Sequence, residues 1–120
     1  MRILAILLFV ISLSCQSQSQ KVTITVYNAV PAQTNSDPGN TATMFKLDLN
    51  DPFKHKIVAV SRDLLKVFPY HSKVRVSGTA YDGVYIVEDT MNKRYTNRID
   101  LLINEDMKIG KWEGIITKIK

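Results

Sequence analysis

The 120-residue chain contains one cysteine, two histidines and only five glycines. A single cysteine, Cys15, excludes an intramolecular disulfide. His55 and His71 sit in loop-like stretches with no cysteine or second histidine at ligand spacing, so the sequence offers no metal site. The glycines are scattered, and none forms the Gly-rich loop that cradles phosphates. No Ser-His-Asp or Cys-His arrangement is present, and no cofactor is implied. There is no internal repeat and no low-complexity domain. Basic side chains exceed acidic ones, giving a formal charge of +5, but no run of them marks a nucleic-acid-binding arm.

What is present begins with a charged start, Met1-Arg2, and an apolar run from Ile3 to Ile11. That run is too short for a spanning helix and is followed by small residues at Ser12 and Ser14. Residues 1–14 read as an export signal. Cys15 directly after them suits a lipidated N-terminus, although Ser12 stands where a lipobox usually has leucine. Ordinary cleavage near Ser14 is the plainer reading. The polar, uncharged segment Cys15–Gln20 then serves as a tether, and a single small domain occupies residues 21–120. Such a protein is placed in the periplasm or on the outer membrane through a lipid anchor, or is otherwise secreted.

Lys21–Asn28 alternates strictly, with Val22, Ile24 and Val26 on one face and Thr23, Thr25 and Tyr27 on the other. Ala29–Thr43 is rich in Pro, Asn, Ser, Asp and Gly and reads as a long loop. A loop of that length in so small a domain is more often functional than idle. Met44–Phe53 is ambiguous. Further strands are expected at Lys56–Val60, Lys73–Val76, Gly83–Val87, Arg98–Ile103 and Gly114–Ile119. Ser61 is expected to cap a helical turn through Leu65, and Asn104 a short helix through Met107. About six short strands with one or two helical turns predict a mainly β fold, a small closed barrel.

Chemistry concentrates in Val87–Ile103, where Asp89 and Asp100 each end or interrupt an apolar strand. A carboxylate buried in such a strand is costly unless paired or hydrogen-bonded. Lys93, Arg94 and Arg98 lie between or beside the aspartates and supply candidate partners. The bland alternatives are a solvated Asp100 paired with Arg98 on the same strand face, and an Asp89 that caps the turn starting at Thr90. Asp63, in the helical turn, suits a structural role toward backbone amides or a basic neighbour. Tyr27, Thr34 and Thr41 border the long loop and are candidates for lining a sugar groove. Their alternative is strand and turn packing.

Three blocks go beyond pattern: VTITVYNAVPAQT from Val22, IVAVSRDLL from Ile57, and VEDTMNKRYTNRIDLLI from Val87. Together and in this order they resemble the bacterial 3D domain, named for three aspartates. The resemblance covers nearly all of residues 21–120. It implies a six-stranded double-psi β-barrel, similar to the C-terminal barrel of membrane-bound lytic murein transglycosylase A and to the rare lipoprotein A domain. It also implies action on, or binding to, peptidoglycan glycan strands. The three aspartates become Asp63, Asp89 and Asp100, and Asp100 matches the position of the transglycosylase acid. Asp89 is then its supporting carboxylate, with Asp63, Tyr27, Thr41, Lys93, Arg94 and Arg98 as substrate-binding candidates. Met44–His55 lacks the glycines of relatives, and Asn104 stands where they often have glycine. A lytic transglycosylase and a non-catalytic glycan-binding module or interaction lipoprotein are both compatible with these residues.

Overall fold

A computed structural model of the chain describes residues 18–29 and 39–120. The expected export signal, Cys15, the first half of the expected tether and Thr34 lie outside the described residues. Six strands make up the domain: β1 (Ser19–Asn28), β2 (Ile57–Val60), β3 (Lys73–Ser77), β4 (Gly83–Thr90), β5 (Arg98–Ile103) and β6 (Trp112–Lys118). Two short 3-10 turns, Pro52–His55 and Arg62–Lys66, are the helical elements among the described residues. The mainly β fold with short helical turns is therefore as the sequence predicts.

The strands close into a barrel in the order β1-β5-β2-β4-β3-β6, with β6 returning to β1. β1 with β5 and β2 with β4 run parallel, and the other four pairs are antiparallel. This mixed, closed, six-stranded arrangement is compatible with a double-psi barrel. Closure leaves no open sheet edge, which protects a domain of this size from edge pairing.

Period-two alternation sorts the side chains into two layers. Val22 and Ile24 of β1, Val58 and Val60 of β2, and Ile99 and Leu101 of β5 point inward. They meet Val74, Val76, Tyr85, Val87 and Ile116 from the other strands. Leu64 and Phe68, from the turn after β2, join the same core. Burial of each such aliphatic side chain contributes roughly 1.5–3 kcal/mol. A second cluster lies on the outer face of β1, β5 and β2, comprising Tyr27, Ile57, Ala59 and Leu102 with Met91. Leu47 and Tyr95 pack onto it from two loops. An outer face this apolar needs a cover, and the loops supply part of it.

Several boundaries differ from expectation. β1 begins at Ser19, because the last residues of the expected tether pair with β6, Ser19 opposite Thr117. Ser61 precedes a turn but does not cap it through its side chain. Its hydroxyl instead accepts the Arg98 N–H at 3.1 Å and ties that turn to the start of β5. No helix follows Asn104. Its side chain accepts the Phe53 N–H at 2.9 Å and donates to Asp51 at 2.9 Å, so it is already engaged. The ambiguous stretch Met44–Phe53 runs into the 3-10 turn Pro52–His55.

Candidate functional site

Register builds the site. On the outer face, Thr25 of β1 lies opposite Asp100 of β5, and Asp100 lies opposite Ala59 of β2. Ala59 in turn lies opposite Asp89 of β4. Four neighbouring strands thus contribute one row, Thr25, Asp100, Ala59 and Asp89. The two aspartates flank a single small side chain, and two strand spacings put their backbones about 9–10 Å apart.

Asp89 reaches this row only through a β-bulge. Simple alternation from Tyr85 and Val87, both in the core, would turn Asp89 inward. The pairing of β2 with β4 slips between Val58 and Ala59: Val58 faces Val87, but Ala59 faces Asp89, and Glu88 is passed over. Such an extra residue re-aims the side chain that follows it. Glu88 itself is buried, with one carboxylate oxygen 2.6 Å from His71 Nδ1. That contact has the distance of an ion pair without hydrogen-bond alignment.

The two carboxyls are held differently. Asp89 accepts the Ala42 N–H at 3.1 Å and its neighbour's Thr90 N–H at 3.0 Å on one oxygen, and the Tyr27 hydroxyl at 3.2 Å on the other. Asp100 accepts the Thr25 hydroxyl at 2.9 Å. Burial pushes the Asp100 carboxyl up to about 6, against the Thr25 bond and the nearby Arg98 charge that favour ionisation. The Asp89 carboxyl is also raised by burial, opposed by the amide bonds and the Tyr27 bond. Burial, followed by the two aspartate charges, carries the Tyr27 phenol well above its ordinary value, so it remains a donor. A weakly solvated carboxyl that changes protonation near neutrality, beside a carboxylate fed by three donors, has the elements of acid–base chemistry.

The remaining sequence candidates fall around this row. Thr41 is buried in a turn-back that spans residues 39–47, where its hydroxyl lies 3.1 Å from that of Thr43 and accepts the Phe45 N–H at 3.1 Å. It shapes the loop that delivers the Ala42 amide. Asp63 accepts the Asn97 N–H at 3.0 Å from the segment leading into β5. Burial opposes the trend, yet bonds from Ser61 and from that amide hold Asp63 below its ordinary value. Arg98 shares the outer face with Asp100 but stacks on Tyr95, with 4.9 Å from its guanidinium carbon to the ring centre. Arg94 lies over the same ring at 4.8 Å and donates to the Tyr95 hydroxyl at 2.7 Å. Lys93 is exposed.

Three contributors were missed in the sequence: Thr25, Ala59 and the Ala42 amide. Thr25 had a signal, since it shares a strand face with Tyr27. Ala59 and Ala42 had none, because an alanine shows its use only once its neighbours are placed. An open cavity of about 350 Å³ lies elsewhere, at the ends of β1 and β5, lined by Ala29, Leu49, Pro52, Ile103 and Asn104 among others. It holds none of the row's residues, and the chemistry of the row outweighs its size. No group of three metal-binding side chains occurs among the described residues. No protein-family model matches the chain, and no curated protein matches it.

Proposed function

We propose that this chain is an exported, 3D-domain-like protein of the cell wall that cleaves peptidoglycan glycan strands as a lytic transglycosylase. The observation that carries the reading is the row itself: Asp100 with its carboxyl raised to about 6, one alanine away from Asp89, whose carboxyl accepts from three donors. Glycoside cleavage needs an acid for the leaving oxygen while positive charge develops on the sugar. With a value near 6, about one Asp100 in ten carries its proton at pH 7, enough for an acid that regains it each cycle.

In this reading Asp100 gives its proton to the glycosidic oxygen, and the bond to the sugar carbon breaks. Asp89 stabilises the oxocarbenium-like charge. The Asp100 carboxylate then takes the proton of the muramic acid 6-hydroxyl, whose oxygen closes the anhydro ring. No water is consumed. The export signal would deliver the domain to this substrate, and lipidation at Cys15 would hold it at a membrane.

The test is incubation of the full chain with purified sacculi, followed by mass spectrometry for anhydro-muropeptides. The parent is expected to release them, and Asp100→Asn to lower the yield by about a hundred- to ten-thousandfold, the range for loss of an acid–base group. If neither protein releases product while both sediment with sacculi, the barrel is a glycan-binding module and the enzymatic reading is lost.

A further inference from the structure

The polar segment between β4 and β5 places two guanidinium groups on one phenol ring. Arg94 and Arg98 lie 4.8 and 4.9 Å from the centre of Tyr95, and Arg94 also donates to its hydroxyl. Tyr95 packs on the outer apolar cluster that contains Tyr27 and Ala59, so the stack adjoins the aspartate row. Arg98 is two residues from Asp100 on the same strand face.

Neither guanidinium meets a carboxylate. The ion pairs among the described residues are Lys54 with Asp48 and His71 with Glu88. Asp100, two residues from Arg98, takes the Thr25 hydroxyl instead. The Arg98 Nε is buried with no hydrogen-bond partner among the described residues. A buried, unsatisfied donor on a charged group is costly, and a ligand that accepts from it removes that cost. The planar fork of arginine matches a carboxylate with two parallel bonds, and a stacked fork loses less freedom on binding.

We infer that Arg94, Tyr95 and Arg98 form a clamp for a carboxylate carried by the glycan, seated beside the bond that Asp100 addresses. This rests on the proposed function and names what the site reads: an acidic rather than a neutral amino-sugar polymer. Two sources share that chemistry, the stem peptides and the lactyl group exposed where stems have been removed.

The experiment is sedimentation of the full chain with four probes at low salt. They are intact sacculi, sacculi stripped of stems by an amidase, the same material with its carboxyls converted to neutral amides, and immobilised polygalacturonate, which carries carboxylates without amino sugars. Intact or stripped sacculi, whichever holds the carboxylate that is read, should bind at least about tenfold more tightly than the neutralised form. Arg94→Gln and Arg98→Gln should each bring that binding down to the neutral level. Arg94 is exposed, so its variant remains informative if the Arg98 variant fails to fold. Equal binding of acidic and neutral glycan, or variants that bind like the parent, overturns the clamp. Binding to polygalacturonate alone, lost in Arg94→Gln, keeps the clamp and overturns the amino-sugar polymer as its ligand. Binding to none of the four overturns both.

Discussion

A carboxylate that accepts two amide N–H groups and a phenol resists protonation better than one that accepts a single hydroxyl. Asp89 is the first kind and Asp100 the second, which divides their roles although burial raises both. The division has a consequence for stability. Asp100 has an ordinary value of 3.8 when unfolded and about 6 when folded, so the folded state holds the extra proton between these values. Stability from this group is complete below about pH 4 and falls as pH rises through about 6. Two pKa units correspond to a deficit on the order of 2–3 kcal/mol at pH 7. Asp100→Asn keeps an acceptor for Thr25 and removes the charge. The inactive variant should therefore melt above the parent at pH 7, and the gap should close by pH 4. Thermal melts across that window check it, and a gap that does not change with pH would remove burial as the origin of the raised carboxyl. The same titration sets the rate, which should fall about tenfold per unit above pH 6 as the acid form is depleted.

At the level of elements, the bulge in β4 sets which face Asp89 takes in this sequence. Were β4 to pair regularly, with Glu88 opposite Ala59, Asp89 would follow Tyr85 and Val87 into the core. Deleting Glu88 brings Asp89 directly after the inward Val87, so β4 should straighten with Asp89 still outward opposite Ala59, and cleavage should survive in a folded variant. Glu88→Ala keeps the residue count and loses only a contact to the exposed His71, so cleavage should survive it. Anhydro-muropeptide yield from both variants, together with their melting curves, checks both. Loss of cleavage in a deletion variant that melts like the parent would show that the bend of the bulge, and not the outward face alone, positions Asp89. This bulge also marks the limit of what sequence alone allowed. β1, β2, β3 and β5 were legible because each alternates or runs apolar over its own length, and Asp100 and Asp89 stood out as carboxylates in such runs. The bulge depends on pairing with β2, which lies outside β4's own sequence, and period two predicts the opposite face for Asp89. Asn104 misled for a related reason: a residue suited to capping was already bonded to Phe53 and Asp51, distant in sequence.

The whole molecule is a ring, and the ring is completed where β6 joins β1 to β3. Gly114 stands at that closure, opposite Val22. A methyl group there would lie 2.3 Å from the Ser77 carbonyl oxygen and 2.7 Å from Ile24 Cδ1. Neither a backbone carbonyl nor a packed core isoleucine yields cheaply, so Gly114→Ala should cost about 1–3 kcal/mol. Gly39→Ala meets nothing within 4 Å and serves as the matched control. The damage should be directional. Amides of the β1–β6 pair, such as those around Lys21 and Ile115, should exchange with solvent faster. The β2–β5 pair behind Ala59 should keep its protection. Because β1 also carries Thr25 and Tyr27 into the row, loosening its far edge reaches the carboxyls through that strand. Cleavage by Gly114→Ala should then fail at a lower temperature than global melting. If activity and melting fail together, the barrel opens as one unit and the closure holds no separate control over the row.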